Sequence, residues 1–463
     1  MKKMKNMYNS CQGRSIEEEE ISTSKQFKSF RDPIHNLITL NTKLPEEKLV
    51  FDLINTKEFQ RLRHISQLGV SAMVYPGATH TRFAHSLGTF YLCRRVCEHF
   101  QSIKNTMSPK AQETVDAMLD QKKVLYSAAI LHDVGHGPFS HALETVTKID
   151  HENITTKIIC GNTDVNSILN AAGITDEVSR VIKREHQNTL LVKLISSQMD
   201  MDRTDYLLRD SYMTGVQYGR IDLEWLIHSL RVGFWGDEAE LGLDVSKGLT
   251  IAESFVLARY NMHLHVYLHK VTRGVEVLIQ KIFKRVRDAR SVSSYDPDIE
   301  SILYAQNTDV DIASFLRLDE HSLWSAFRQW ANSGDVVLKK LCSMLLERNL
   351  FTAKEFTDKK FDETMDIQSD IKKNIEKSNV LGEIKGEDTN YFLGYDEAIV
   401  SIYKDILVTK TDMEASEQIF LIDHAGKAQN LSERSSIINT LRNSKEKFQR
   451  FYYPKEIDDK ISN

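Results

Sequence analysis

The sequence predicts a mostly α-helical protein with a smaller α+β C-terminal lobe. Only 7 prolines and 20 glycines interrupt 463 residues, and Leu, Ile, Glu, Lys and Arg are frequent, a composition that favours helix. Apolar residues recur at helical spacing through much of the chain as far as Phe351. Strand-like signals are confined to short pieces near Ile38 and Leu40, from Ser416 to Asp423, and at an extended end from Arg450 to Pro454.

A chain of 463 residues can bury a large core and still carry a second lobe. A net charge of −5 offers no electrostatic grip on nucleic acid or on an anionic membrane, so neither is an expected partner. No apolar run reaches membrane-spanning length, and the N-terminus lacks the apolar core of a secretory signal. The cysteines Cys11, Cys93, Cys97, Cys160 and Cys342 are scattered. Cys93 and Cys97 lie one helical turn apart, which reads as packing, and no second pair completes a zinc site. A reduced cytoplasm is the expected compartment.

Taken in order, residues 1–26 are polar, with an acidic run from Glu17 to Glu20, and are expected to be disordered. Order is expected from Phe27, where Pro33 imposes an extended or turn conformation before His35. Leu49 to Leu68 reads as a helix with Leu49, Phe51, Ile54, Phe59, Leu62 and Ile65 on its apolar face. Gln60, Arg61, Arg63 and His64 are interleaved, and composition alone makes the basic residues a solvated face. Gln67 to Gly88 is a turn opening into a helix on which Arg82 and His85 share a face. That pair is either a helix start with a buried histidine, or a metal ligand beside a bidentate phosphate clamp.

The chain is organised around Leu131-His-Asp-Val-Gly-His-Gly-Pro-Phe-Ser-His141. His132 and Asp133, at the end of an apolar helical run, can converge on one divalent ion. His136, a turn later, would lie on the same face, within reach of a bound substrate. Asp150 is a cap for a helix opening at His151, which is either a surface histidine or a visitor to a shared cleft. Asp202, Tyr206 and Asp210 fall at i, i+4 and i+8 on one helix face, costly to bury without partners. The alternative there is a structural salt-bridge network. The same spacing recurs at Arg259, His263 and Tyr267, with Lys270 close by, on a helix predicted to run on through Val271, Val275, Leu278, Ile279 and Ile282. Ile312 to Phe351 is again helical, whereas Lys354 to Asn390 is charged and loosely periodic. There are no repeats, P-loop, dinucleotide-binding glycines or GxSxG.

His85, His132, Asp133 and Asp202 make a mixed imidazole–carboxylate set suited to Mn, Fe, Co, Ni or Mg rather than to a closed structural zinc. Four protein ligands on an octahedral ion leave room for water and a phosphate oxygen. Arg82, Arg203, Tyr206, Arg259 and Lys270 are more phosphate-binding groups than a monoester needs, which points to a polyphosphate.

Together these motifs resemble the HD-domain deoxynucleoside triphosphate triphosphohydrolases, both the bacterial tetrameric enzymes and the HD domain of the vertebrate enzyme that restricts retroviruses. The likeness runs from about Lys28 to Phe351, and Arg450 to Glu456 is similar to the C-terminal end of the bacterial relatives. It is carried by Asp32-Pro-Ile-His35, Phe59-Gln-Arg-Leu-Arg63, Pro76-Gly-Ala78, Arg82-Phe-x-His-Ser-Leu-Gly88, His132-Asp-x-Gly-His-Gly-Pro-Phe-Ser-His141 and Asp202-x-x-x-Tyr206-x-x-Arg-Asp210. The resemblance implies an HD-domain helical core at 27–290 and a mixed lobe at 291–463 for assembly and regulation.

It also implies metal ligation by His85, His132, Asp133 and Asp202, and phosphate contacts from Arg82, Arg203, Tyr206 and Arg259. Gln67 and Asp210 would read the sugar 3′-hydroxyl, while Leu68 and Tyr267 would crowd the 2′ position. His136, His141 and His151 match catalytic histidines, with Glu144 where the vertebrate enzyme has an orienting aspartate. The implied reaction is attack at the α-phosphate, releasing deoxynucleoside and triphosphate. Lys28, Asn55, Gln60, Arg63 and Arg348 match a site for an activating nucleotide between subunits of a homotetramer. Arg203 stands where relatives have lysine, Asn55 where the vertebrate enzyme has a guanine-reading aspartate, and Thr352 where it has a lysine, with Lys354 nearby. Two other readings follow from the same residues: an HD phosphohydrolase of another phosphoester, or a nucleotide sensor without catalysis.

Overall fold

Two short strands begin the ordered chain: β1 (Phe27–Asp32) and β2 (Asn36–Asn41) pair antiparallel, Asp32 opposite Asn36. Asn36 turns the chain at φ 62°, a conformation asparagine tolerates, and Ile38 and Leu40 are buried as their alternation predicts. The structure, a computed structural model, describes residues 26–289, 296–305, 310–356, 361–378, 380–403, 418–442 and 445–460. The tail predicted to be disordered lies outside them, apart from Gln26.

The helix predicted from Leu49 to Leu68 is three pieces: α1 (Pro45–Ile54), one turn at Lys57–Gln60 and a tight turn at Arg61–His64. Thr56 makes the break. Its hydroxyl accepts from the Phe59 backbone N–H and caps a new helix start. The apolar face survives, since Leu49, Ile54, Phe59, Leu62 and Ile65 are all buried.

The centre is α2 (Arg82–Ile103), packed against α3 (Lys122–Leu131) and, further along the chain, α6 (Met201–Thr214). Between them come α4 (Ser140–Thr147) and α5 (His151–Cys160). Cys93 and Cys97 are buried in this core, as a packing role requires.

Two strands, β3 (Leu230–Trp235) and β4 (Glu238–Asp244), then lead to α7 (Leu249–Met262) and α8 (Lys270–Ala289). The sequence predicts one helix across this join. Instead a π-helical turn at His263–Tyr267 intervenes, a feature frequent at functional sites. The Leu268 carbonyl freed by the interruption accepts from Arg450 Nη1 at 2.6 Å.

The stretch from Ile312 is helical as predicted, with Ile312–Arg317, α9 (Glu320–Trp330) and α10 (Val336–Leu346), but Phe351 already belongs to β5 (Phe351–Phe356). The last strands are β6 (Gly394–Ser401), β7 (Phe420–Ile422), β8 (Ala428–Asn430) and β9 (Lys445–Pro454). β9 is longer than the extended end expected at Arg450 to Pro454. Of the strand expected from Ser416 to Asp423, Phe420–Ile422 is observed, and Ser416 and Glu417 lie outside the described residues. β5, β9 and β6 form an antiparallel sheet against α8. β7 runs parallel to β4 and extends the β3–β4 pair into a four-stranded sheet with β8. Among the described residues, no helix is long and apolar enough to cross a membrane.

Candidate metal centre and adjoining cleft

Three helices deliver the predicted ligands. The first turn of α2 carries Arg82 and His85, His132 caps the C-terminal end of α3, and α6 supplies Asp202. His85 Nε2 lies 3.2 Å from His132 Nε2 and 2.9 Å from Asp202 Oδ1. His132 Nε2 is 3.5 Å from both Asp202 Oδ1 and Asp133 Oδ1, and His85 Nε2 is 3.8 Å from Asp133 Oδ2. Each imidazole is held from behind through its other nitrogen: His85 Nδ1 by Asp205 Oδ2 at 2.8 Å, His132 Nδ1 by the Ala129 carbonyl at 2.8 Å.

Those outer partners only accept, so each Nδ1 donates and each Nε2 is left facing the other beside two carboxylates. Such a cluster needs positive charge at its centre. With a proton alone, burial pushes the His85 imidazole down but Asp202 and Asp205 outweigh it, raising its pKa to about 10. A divalent ion satisfies both nitrogens at once: His85, His132 and Asp133 bring their ligand atoms close enough to share one, and Asp202 Oδ1 stands beside both imidazoles.

Behind the ligands lies a buried ionic layer whose roles were not legible in the sequence. Asp205 accepts from His35 at 2.6 Å and from Arg209 at 2.8 and 3.0 Å, and Arg209 also reaches Asp32 at 2.7 Å. Asp32, His35 and Arg209 lie inside the HD-type motifs and Asp205 between motif positions, and nothing in the sequence assigns them this role. The available signal was spacing, since Asp205 and Arg209 stand at i and i+4 on α6. Gly88 admits this layer, because a Cβ there would stand 1.8 Å from Asp205 Oδ1.

His136 is not on the His132 helix face. The helix ends at Leu131, and a turn closed by the His136 N–H on the Asp133 carbonyl brings His136 round. Gly135 lets that turn press on the start of α5, where a Cβ would meet the His151 carbonyl at 2.3 Å. His136 Nε2 reaches Asp133 Oδ1 at 3.3 Å, and Nδ1 reaches Ser140 Oγ at 2.8 Å. Its ring stacks on His151 with centroids 3.9 Å apart, and His151 Nδ1 lies 3.0 Å from Glu144 Oε1. Burial and then the Arg82 charge hold His136 well below the usual histidine range. Burial lowers His151 too, but Glu144 outweighs it and the net shift is upward. Asp150 caps α5 as predicted. Arg61, read as part of a solvated face, is instead buried and clasps the His136 carbonyl with two N–H groups at 2.8 and 2.7 Å. A planar, charged fork is well matched to a turn carbonyl that has no helix partner.

A cleft of about 440 Å³ adjoins the cluster. Gln67, Leu68, Arg82, His141, Glu144 and Tyr267 all line it, although they come from four separate stretches of chain. The Gln67 side-chain carbonyl is buried with no protein partner. Asp210 accepts from Tyr267 Oη at 2.9 Å and pairs with the buried His80 at 2.7 Å, another residue without a predicted role. Tyr206 stands edge-on to Tyr267, centroids 6.1 Å apart.

The expected phosphate clamps are already engaged. Arg82 Nη1 donates to Asp133 Oδ2 at 2.6 Å, and Arg203 Nε to Asp200 Oδ2 at 3.3 Å. Arg259 donates to the Gln198 side chain and to the Ile402 carbonyl, and its burial brings its pKa down to about 10. Lys270 is exposed at the start of α8 and is not among the residues lining the cleft.

Of the residues matched to a regulatory site, Lys28 and Asn55 meet at Phe51, and Gln60 and Arg63 hydrogen-bond to each other. Lys28 lies over the Phe51 ring at 5.7 Å, and Asn55 donates to the Phe51 carbonyl. Gln60 donates to the Ile54 carbonyl and accepts from Arg63, whose guanidinium stacks on Phe83 at 3.6 Å. Arg348 instead donates to the Met73 carbonyl at 3.1 Å, joined to none of these four by a hydrogen bond.

The HD domain profile matches residues 82–210, and the HD associated region profile matches residues 221–463. The chain is 33% identical to the uncharacterised protein YwfO of Bacillus subtilis over 93% of each chain. It is 28% identical to the deoxynucleoside triphosphate triphosphohydrolase SAMHD1 homolog of Dictyostelium discoideum, over 57% of this chain and 50% of that one. A crystal structure of a phosphohydrolase from Bacteroides thetaiotaomicron superposes with a TM-score of 0.75 at 29% identity, covering 92% of this chain and 99% of that chain.

Proposed function

The chain belongs to the HD-domain proteins that carry the HD-associated region, a phosphohydrolase superfamily whose HD domains bind divalent metals, and from that premise we propose that it hydrolyses deoxynucleoside triphosphates to deoxynucleoside and inorganic triphosphate. One observation carries the reading: the cleft beside the His/Asp cluster is lined by residues of four separate segments whose chemistries match a polyphosphate, a deoxyribose and an acid–base relay.

His85, His132, Asp133 and Asp202 would hold the ion, which when bound polarises a phosphoryl oxygen and lowers the pKa of water. The remaining roles belong to the chain's own residues. Arg82 lies between Asp133 and the cleft, so its guanidinium orients a ligand carboxylate while presenting positive charge to the phosphates. Arg203, Tyr206 and Arg259 are the further phosphate contacts in this reading. Glu144 holds His151, which stacks on His136, and His141 lines the same cleft. These are the groups that would take a proton from attacking water and return one to the leaving 5′-oxygen. The unpartnered Gln67 carbonyl, together with Asp210, suits a sugar 3′-hydroxyl. Leu68 and the Tyr267 ring, fixed by Asp210, would leave no space for a 2′-hydroxyl.

An activating nucleotide on Lys28, Asn55, Gln60, Arg63 and Arg348, a homotetramer and a cytoplasmic setting complete the proposal. A second reading, hydrolysis of another phosphoester, is favoured by one observation: Arg82, Arg203 and Arg259 each already have a protein partner. Product analysis separates the two. Purified protein with Mn²⁺ is given each dNTP singly and then all four together, and products are resolved by ion-pair chromatography. The first reading requires deoxynucleoside with intact triphosphate; monophosphate with pyrophosphate, or turnover of monoesters alone, supports the second.

A further inference from the structure

We propose that a second cavity, on the far side of α4 from the cleft, binds the phosphates of a nucleoside phosphate. This cavity measures about 680 Å³, a size suited to a small ligand, and is walled by α4, α8 and β6. The C-terminal half of α8 turns Lys281, Lys284 and Arg287 toward it. None of the three has a carboxylate partner among the described residues. Lys281 Nζ donates to the Asn390 carbonyl at 3.0 Å, Lys284 Nζ hangs 5.9 Å from the Tyr391 ring centre, and Arg287 donates to the Val146 carbonyl. The one acid on the wall, Asp288, is occupied by the Tyr391 hydroxyl at 2.6 Å.

Three cations thus face one acid in this recess, none of them ion-paired among the described residues, and a phosphate chain supplies the missing negative charge. Burial and the Lys284 charge together bring the Lys281 ammonium down to about 8, in keeping with that crowding. The aromatic part of the ligand is assigned from the rim, where Tyr304 and Tyr395 are 39% and 44% exposed. Tyr395 is fixed in place by Phe451, centroid distance 5.2 Å, and by a hydrogen bond to Glu397 at 2.7 Å, so it offers a firm face to a base. The assignment is independent of the chemistry proposed for the cleft. The two cavities nevertheless share a wall, since Thr145 lines both and Arg287 holds the end of the helix that carries His141 and Glu144.

Photolabelling of the full chain with 8-azido-ATP in EDTA, followed by peptide mapping, tests this. Adducts are expected on peptides bearing Tyr304 or Tyr395, suppressed by ATP and by inorganic triphosphate but not by adenosine. Lys284→Glu, at an exposed position, should lower that labelling about tenfold or more while leaving the melting temperature unchanged, and Lys281→Gln should lower it less. Labelling confined to cleft peptides, labelling undiminished in Lys284→Glu, or equal competition by adenosine and ATP would overturn the proposal.

Discussion

Asp205 Oδ2 lies 2.8 Å from His85 Nδ1, the ring nitrogen that does not face His132, and the same carboxylate holds Arg209 and His35. The residue that sets the orientation of a proposed metal-binding histidine is therefore itself fixed by two further buried groups, one guanidinium and one imidazole. Asp205→Asn should lower Mn²⁺ affinity about 10- to 100-fold, the usual cost of losing such a partner, and should also lower the melting temperature by leaving Arg209 with Asp32 alone. Competition with a chelating dye measures the affinity. An unchanged affinity in the folded variant would separate Asp205 from metal binding.

Gly88 is needed for the same layer to close. Because a Cβ there would stand 1.8 Å from Asp205 Oδ1 and 2.6 Å from Arg209 Nη2, and both groups are locked by other partners, Gly88→Ala cannot be absorbed by rotation of one side chain. A loss of about 1–3 kcal/mol is expected from overpacking, read as a lower urea midpoint with an unchanged m-value. Wild-type stability would show that the ionic layer is looser than described.

Stability should also depend on pH through Glu276. Burial raises its carboxyl from 4.5 to about 7, against the pull of Arg273, which is shared with Asp396. The folded state thus binds this proton more tightly than the unfolded chain does. The group's contribution is fully present below pH 4.5 and is lost as pH rises from there through about 7. Denaturation midpoints of wild type and Glu276→Gln, compared across that window, should converge at its acid end and part at its neutral end, with wild type the less stable there. Parallel curves would contradict the assignment.

Discrimination between deoxyribose and ribose should rest on Tyr267. Its ring is held by the hydroxyl's bond to Asp210 and by the edge of Tyr206. Tyr267→Ala should narrow the dNTP-to-NTP ratio of kcat/KM about tenfold or more, by opening space at the 2′ position. An unchanged ratio places the discrimination elsewhere.

The proposed ligand quartet stands out in the sequence because its members sit in short motifs of metal-binding types, and helix ends at His132 and Asp202 bring them together in the structure. Asp205 was hidden for the opposite reason: an aspartate inside an apolar helix face looks the same whether it pairs with its own helix or with a histidine on another. Arg61 differs from the expected solvated face because composition cannot distinguish a solvated guanidinium from one inserted into a turn. The break at Thr56 comes from capping, and the one at His263–Tyr267 is a π-helical turn whose freed Leu268 carbonyl is taken up by Arg450; neither alters apolar periodicity. The parallel pairing of β7 with β4 joins segments far apart in the chain, and nothing local to either announces it.

The central claim is that water attacks the α-phosphorus. Hydrolysis of a dNTP in H₂¹⁸O with Mn²⁺, followed by mass spectrometry of both products, tests it most directly. Attack at the α-phosphorus places one ¹⁸O in the inorganic triphosphate and none in the deoxynucleoside, with no turnover when His132 and Asp133 are both alanine. Label in the deoxynucleoside hydroxyl, label in released orthophosphate, or retained turnover in that double variant would contradict it.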